Sequence, residues 1–264
     1  MNALPIFACC LLALGQPLRA LPGVRNPGHV LVVLDPGHGG EDEGARGRGG
    51  LLEKDVALDL ARELARQLKE AGMEARLTRT DDTLIPLWDR AKLANEAGAN
   101  LFISLHLNAA PVREARGSEV YFLSMGNGDR MAAQIAAVEN AGARGKAEQN
   151  PESVVAGILS DLSQKAFLQD SERLAVAIQV QLNLLGGIKE RGVKQAPFVV
   201  LRGAAMPAVL VETAFISNPR EEAKLMDPGF RKRVAQAIAR GVRRFLAGGT
   251  PLTRRAPSQG PPAG

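Results

Sequence analysis

Three short apolar runs in this chain each lead to a residue that can hold a metal or move a proton. Residues 30–34 lead through Asp35-Pro36-Gly37 into His38, residues 101–105 into His106, and residues 208–211 into Glu212. Such runs are too short for core helices and suit strands buried on both faces. Helical patterns lie between them. The segment 53–71 carries Val56, Leu58, Leu60, Leu64 and Leu68 and stops at Gly72, and 87–97 stops at Gly98. Alternation of this kind builds a parallel sheet covered by helices. Parallel strands also bring their carboxyl ends to one edge, where α/β proteins form their sites.

The remaining elements follow the same plan. Further strands are expected at 74–78, 119–123 and 198–201, and further helices at 131–140, 171–185 and 221–246. The expectation is a single three-layer α/β domain over 28–247, with a twisted, mostly parallel sheet of about six strands flanked by helices. The glycine-rich stretch 37–50 reads as a long loop, and the Pro/Gly/Arg-rich stretch 248–264 reads as a disordered tail. The segment 131–170 is too long for a plain connection. Asn150-Pro151-Glu152 opens a helix there, with Asn as cap and Pro in the first turn, and Val154, Val155, Ile158, Leu159 and Leu162 form an apolar stripe.

Composition narrows the class further. Aromatics are few (one Trp, one Tyr and eight Phe), so Val, Leu, Ile and Ala must build the core. The net charge of +5 comes from basic residues interleaved with acids, without the dense stripe that nucleic-acid binding requires. Nucleic acid is therefore not an expected partner, whereas a mild positive balance suits an anionic surface such as a bacterial wall. Both cysteines, Cys9 and Cys10, lie in the apolar run 3–14, which has the length of a signal-peptide core. Residues 1–20 are read as a signal peptide, although Met1-Asn2 offers no basic residue ahead of the run. The expected protein is exported, periplasmic in a Gram-negative envelope, monomeric and free of disulfides.

Two imidazoles at convergent strand ends point to a divalent-metal centre, with zinc favoured by nitrogen ligands. Glu53 is the strongest candidate for a third ligand, because the loop leaving His38 swings back to it at the start of a helix. Asp35, Glu41, Asp42 and Glu43 are alternatives; Asp35 reads better as a group that orients the loop or a ligand histidine. Glu212, at the end of a buried strand, is the candidate general base. Asn108 is placed to hydrogen-bond substrate. Arg79 and Arg90 are expected to pair with helix acids, and His29 to lie on the surface. Taken singly, each residue also has a bland reading: a sheet-edge histidine, a helix-start acid, a turn cap.

Together the motifs resemble a known family. Leu34-Asp35-Pro36-Gly37-His38-Gly39-Gly40, the downstream Glu53, Ser104-Leu105-His106-Leu107-Asn108-Ala109, and Val209-Leu210-Val211-Glu212 with Phe215-Ile216-Ser217-Asn218 are similar to the zinc-dependent N-acetylmuramoyl-L-alanine amidases of the cell-separation type, the amidase-3 family. The resemblance implies cleavage of the amide between N-acetylmuramic acid and L-Ala in peptidoglycan. It assigns one zinc ion to His38, Glu53 and His106, with Glu212 as the catalytic carboxylate. It also implies that 131–170 is an insertion whose regulatory helix covers the site until a LytM-type activator displaces it. Glu139 or Glu148 would then fill the open zinc position. Thr213-Ala214 departs conservatively from the small pair expected after the catalytic glutamate. The rival readings are a zinc exopeptidase on a related scaffold, which would bring more metal ligands, and a non-catalytic wall-binding protein, which would lack one.

Overall fold

The computed structural model describes residues 30–124, 130–143 and 151–248, with side chains from residue 166 onward in the last of these. The expected leader, His29, Glu148 and the expected tail beyond residue 248 lie outside the described residues. Six strands, β1 (Leu31–Pro36), β2 (Glu74–Leu77), β3 (Leu101–Asn108), β4 (Ser118–Leu123), β5 (Glu190–Ala196) and β6 (Ala208–Phe215), form one sheet in the order β2-β1-β3-β6-β4-β5. The pairs β2–β1, β1–β3, β3–β6 and β4–β5 are parallel, and β4 runs antiparallel to β6. The sheet is mixed and mostly parallel.

The helices are α1 (Glu53–Glu70), α2 (Leu87–Glu96), α3 (Arg130–Glu139), α4 (Pro151–Asn183), α5 (Pro219–Met226) and α6 (Pro228–Ala247). Side-chain alternation along the strands sorts the core into two layers. Leu101, Ile103, Leu105 and Leu107 of β3 pack with Leu60, Leu64 and Leu68 of α1, Ile178 of α4 and Ile238 of α6. The opposite face packs Phe102, Leu210 and Tyr121 with Ala91 and Ala94 of α2 and Ala132 and Ala136 of α3. Continuing that alternation, Ser104, His106 and Asn108 of β3 share this second face, and near the carboxyl end of the strand it turns from apolar to polar. Helices α4 and α6 cross closely: a Cβ on Gly241 would lie 2.6 Å from Ile178 Cα.

Three expectations are corrected. Residues 198–201 do not form a strand; Val199–Leu201 is a 3-10 turn, apolar because it is buried against the second core layer. The fifth strand is instead Glu190–Ala196, whose polar composition suits a sheet edge that must not attract another chain. The helix expected at 171–185 and the helix start at Pro151 belong to one 33-residue helix. The segment 221–246 contains a break: Asp227 caps α6 by accepting from Gly229 and Phe230, and Pro228 cannot continue α5.

Candidate metal centre and active site

The loop after β1 is shaped to aim His38. Gly37 N–H donates to Leu105 C=O at 3.0 Å, which ties the loop to β3. A Cβ at Gly37 would sit 2.5 Å from the His106 ring, so only glycine lets the two histidines approach. His38 itself has φ of +58°, the left-handed region rarely occupied by residues with a side chain. Two buried arginines hold this backbone. Arg79 donates to the carbonyls of Pro36 (3.1 Å), Gly37 (2.7 Å) and Lys54 (2.8 Å), and Arg90 to those of Pro36 (2.8 Å), His38 (2.9 Å) and Ile85 (2.9 Å). The expected pairing with helix acids is therefore replaced by a clamp on carbonyls. Arg90 also pairs with Asp35 at 3.0 Å, and Asp35 is completed by Thr78 (2.6 Å) and Ser104 (2.7 Å), which excludes it as a ligand.

His38 Nδ1–H donates to Asp42 at 2.9 Å, leaving Nε2 turned inward. That contact fixes the tautomer and makes the ring a better ligand. Asp42 is thus the partner of His38. Glu53 enters from the first turn of α1 and is pinned by Ala45 N–H on Oε2 (2.8 Å) and Leu107 N–H on Oε1 (2.9 Å). Its Oε1 lies 3.2 Å from His38 Nε2 and 3.1 Å from His106 Nδ1. Glu139, the last residue of α3, completes the group: its Oε2 lies 3.3 Å from His38 Nε2 and 3.2 Å from His106 Nδ1.

These spacings decide what the group can hold. A tetrahedral zinc with bonds near 2.0–2.1 Å places its ligand atoms about 3.3 Å apart. The four contacts run from 3.1 to 3.3 Å, and all four ligand atoms lie within 4.8 Å of one another. A neutral imidazole lone pair facing a carboxylate at that distance is repulsive unless a cation lies between them. His38 Nε2 and Glu139 Oε2 are buried and have no hydrogen-bond partner among the described residues. Orphaned atoms at tetrahedral spacing fit a divalent metal. Without one, protons must serve. Burial opposes charge on His38, but Glu53, Asp42 and Glu139 outweigh it and push the ring up to about 12. Burial likewise opposes charge on His106, and Glu139 and Glu53 push it up to about 10.

Glu212 stands beside this set, in register with His106 across β3–β6. It is fully buried, and neither carboxylate oxygen has a hydrogen-bond partner among the described residues. Burial drives its proton affinity well above the usual carboxylate range, against the pull of His106, and Glu139, Glu53 and Glu119 add to the rise. Such a group readily accepts a proton. Asn108 donates its side-chain amide to buried Glu119 of β4, which also accepts from Arg191 and Lys194 of β5. Sequence reasoning missed this cluster; the alternation Glu119, Tyr121, Leu123 on one face of β4 was its only signal.

A buried set of two imidazoles and two carboxylates, with an unpartnered acid alongside on the carboxyl edge of an α/β sheet, is the arrangement of a metal-dependent hydrolase. The comparisons narrow that class. A family model described as N-acetylmuramoyl-L-alanine amidase matches residues 32–244. AmiA of Escherichia coli K12, named as such an amidase, is 40% identical over 221 residues, covering 83% of this chain and 76% of AmiA. AmiC of Neisseria meningitidis is 40% identical over 236 residues, covering 88% of this chain and 57% of that relative. The solved structure of AmiC2 from Nostoc punctiforme superposes with a TM-score of 0.63 at 30% identity, covering 83% of this chain and 97% of that one. An amidase structure from Clostridium difficile 630 gives a TM-score of 0.65 at 28% identity, covering 84% and 100%. The chain belongs to the N-acetylmuramoyl-L-alanine amidase family.

Proposed function

We propose that this enzyme is an exported zinc amidase that cleaves the bond between N-acetylmuramic acid and L-Ala during wall remodelling and daughter-cell separation, and that α3 inhibits it at rest. His38, Glu53 and His106 would hold the zinc. Bound there, zinc supplies Lewis-acid polarisation of a carbonyl and lowers the pKa of water to about 7. Glu212 then takes the proton of the attacking water and delivers it to the L-Ala nitrogen as the amide breaks. Its burial suits both halves of that transfer, since it keeps the carboxyl basic and away from competing solvent.

The observation that supports inhibition is Glu139. A catalytic zinc keeps a position open, and Glu139 Oε2 lies within 3.3 Å of both histidine nitrogens, where a fourth ligand would stand. The helix that carries it is lightly seated. Ala132 and Ala136 are fully buried, whereas Met131 and Val138 are 56% and 72% exposed. A small apolar footprint lets a partner displace the helix at low cost. An activator protein, of the LytM type by family resemblance, would provide that displacement.

Two variants test the proposal on purified peptidoglycan. Glu139→Ala should raise basal release of stem peptides, and Glu212→Ala should bind wall without hydrolysing it. Unchanged turnover in the first would remove the inhibitory role, and undiminished hydrolysis in the second would remove Glu212 from the chemistry.

A further inference from the structure

Glu119 stands directly across the β4–β6 pair from Glu212, and both are fully buried. Two cations share its carboxylate: Arg191 Nε at 3.1 Å and Lys194 Nζ. One negative charge against two positive ones leaves an excess cation on the face that carries Glu212. Arg191 is also held in a fixed pose. Its Nε is anchored on Glu119, and its guanidinium carbon lies 4.9 Å from the centre of the Phe215 ring. The outer amino groups have no oxygen acceptor among the described residues. Nη2 has instead the Met131 sulfur of α3 at 4.0 Å, and a thioether accepts only weakly. A stacked, anchored guanidinium whose outer donors meet only a thioether among the described residues is pre-organised for a carboxylate.

We propose that Arg191, backed by Lys194, binds a carboxylate on the stem-peptide side of the scissile amide and selects substrates that carry it. The inference rests on the amidase reading and deepens it. In a stem peptide the residue after L-Ala is a glutamate joined through its side chain, so its α-carboxyl is either free or amidated. A free carboxylate accepts two parallel hydrogen bonds from a guanidinium, whereas an amide is uncharged and sets donors against donors. The side chains of Arg191 and Lys194 are 19% and 16% exposed, enough to meet a ligand from the solvent side. If these cations served only to neutralise Glu119, their loss would slow every substrate alike.

The test uses zinc-loaded full-length protein in the Glu139→Ala background and purified peptidoglycan whose stem glutamate is either free or amidated. The free acid should be preferred at least tenfold in kcat/KM. Arg191→Gln should abolish the preference by raising KM for the free acid alone, and Arg191→Lys, which keeps a cation for Glu119, should retain part of it. Equal cleavage of both walls, or equal slowing of both by Arg191→Gln, would overturn the inference even if the Gln variant folds poorly, because the first comparison needs no change at position 191. Cleavage of neither wall would instead sink the amidase reading.

Discussion

At Glu212 the fold gives up hydrogen bonding for chemistry. Both oxygens are buried without a donor among the described residues, an arrangement that costs stability and persists where function requires it. Glu212→Gln should therefore lower turnover by about 10²–10⁴-fold, the usual share of general acid–base catalysis. Its unfolding midpoint in urea should be no lower than that of the parent; a fall of the midpoint would mean that the carboxylate is structural. Asp42 has the opposite role, since among the described residues its carboxylate bonds only to His38 Nδ1 and the Gly44 amide. Asp42→Ala should weaken zinc binding about 10–100-fold while leaving zinc-saturated turnover largely intact, as measured by chelator competition. Protonation supplies a third outcome. Without metal the rings of His38 and His106 are pushed up to about 12 and 10, so both are charged at pH 7. Zinc needs them neutral, so its binding should expel about two protons and tighten as pH rises from 6 to 8. Calorimetry in buffers of different ionisation enthalpy measures that number, and zero released protons would mean that both rings are neutral before zinc binds.

Among the elements, the loop after β1 shows what the sequence reveals and what it hides. His38, Glu53, His106 and Glu212 were legible because each follows a short apolar run or opens a helical one, and those patterns are local. Asp42 was not, because the stretch from Asp35 to Glu43 holds four acids, both ends included, and only the path through the +58° φ of His38 selects one of them. Arg79 and Arg90 were misread for another reason: their acceptors are mainly backbone carbonyls, which carry no residue signature. Edge strand β5 was hidden by its polarity, and with it the Glu119, Arg191 and Lys194 cluster. The arginine clamp gives a stability prediction. Arg90→Met would strand Asp35 as a buried carboxylate and release three carbonyls, with a cost of about 3–5 kcal/mol by urea unfolding. A loss below about 1 kcal/mol, the scale of exposed pairs, would show that the pair is solvated.

Across the whole molecule, sheet order converts distant segments into one site. Placing β3 between β1 and β6 brings His38, His106 and Glu212 together, and the antiparallel β4 adds Glu119 opposite Glu212. Helix α1 supplies Glu53 from one side of the sheet edge, and α3 supplies Glu139 from its last residue. We propose that this convergence is a zinc centre that hydrolyses the amide to L-Ala. Digestion of purified peptidoglycan by the Glu139→Ala protein, with added zinc or with excess chelator, tests it most directly when the products are read by mass. Stem peptides with a free L-Ala amine are expected in zinc and none in chelator. Products cut at a glycosidic bond or within the peptide, or release that survives chelation, would contradict it.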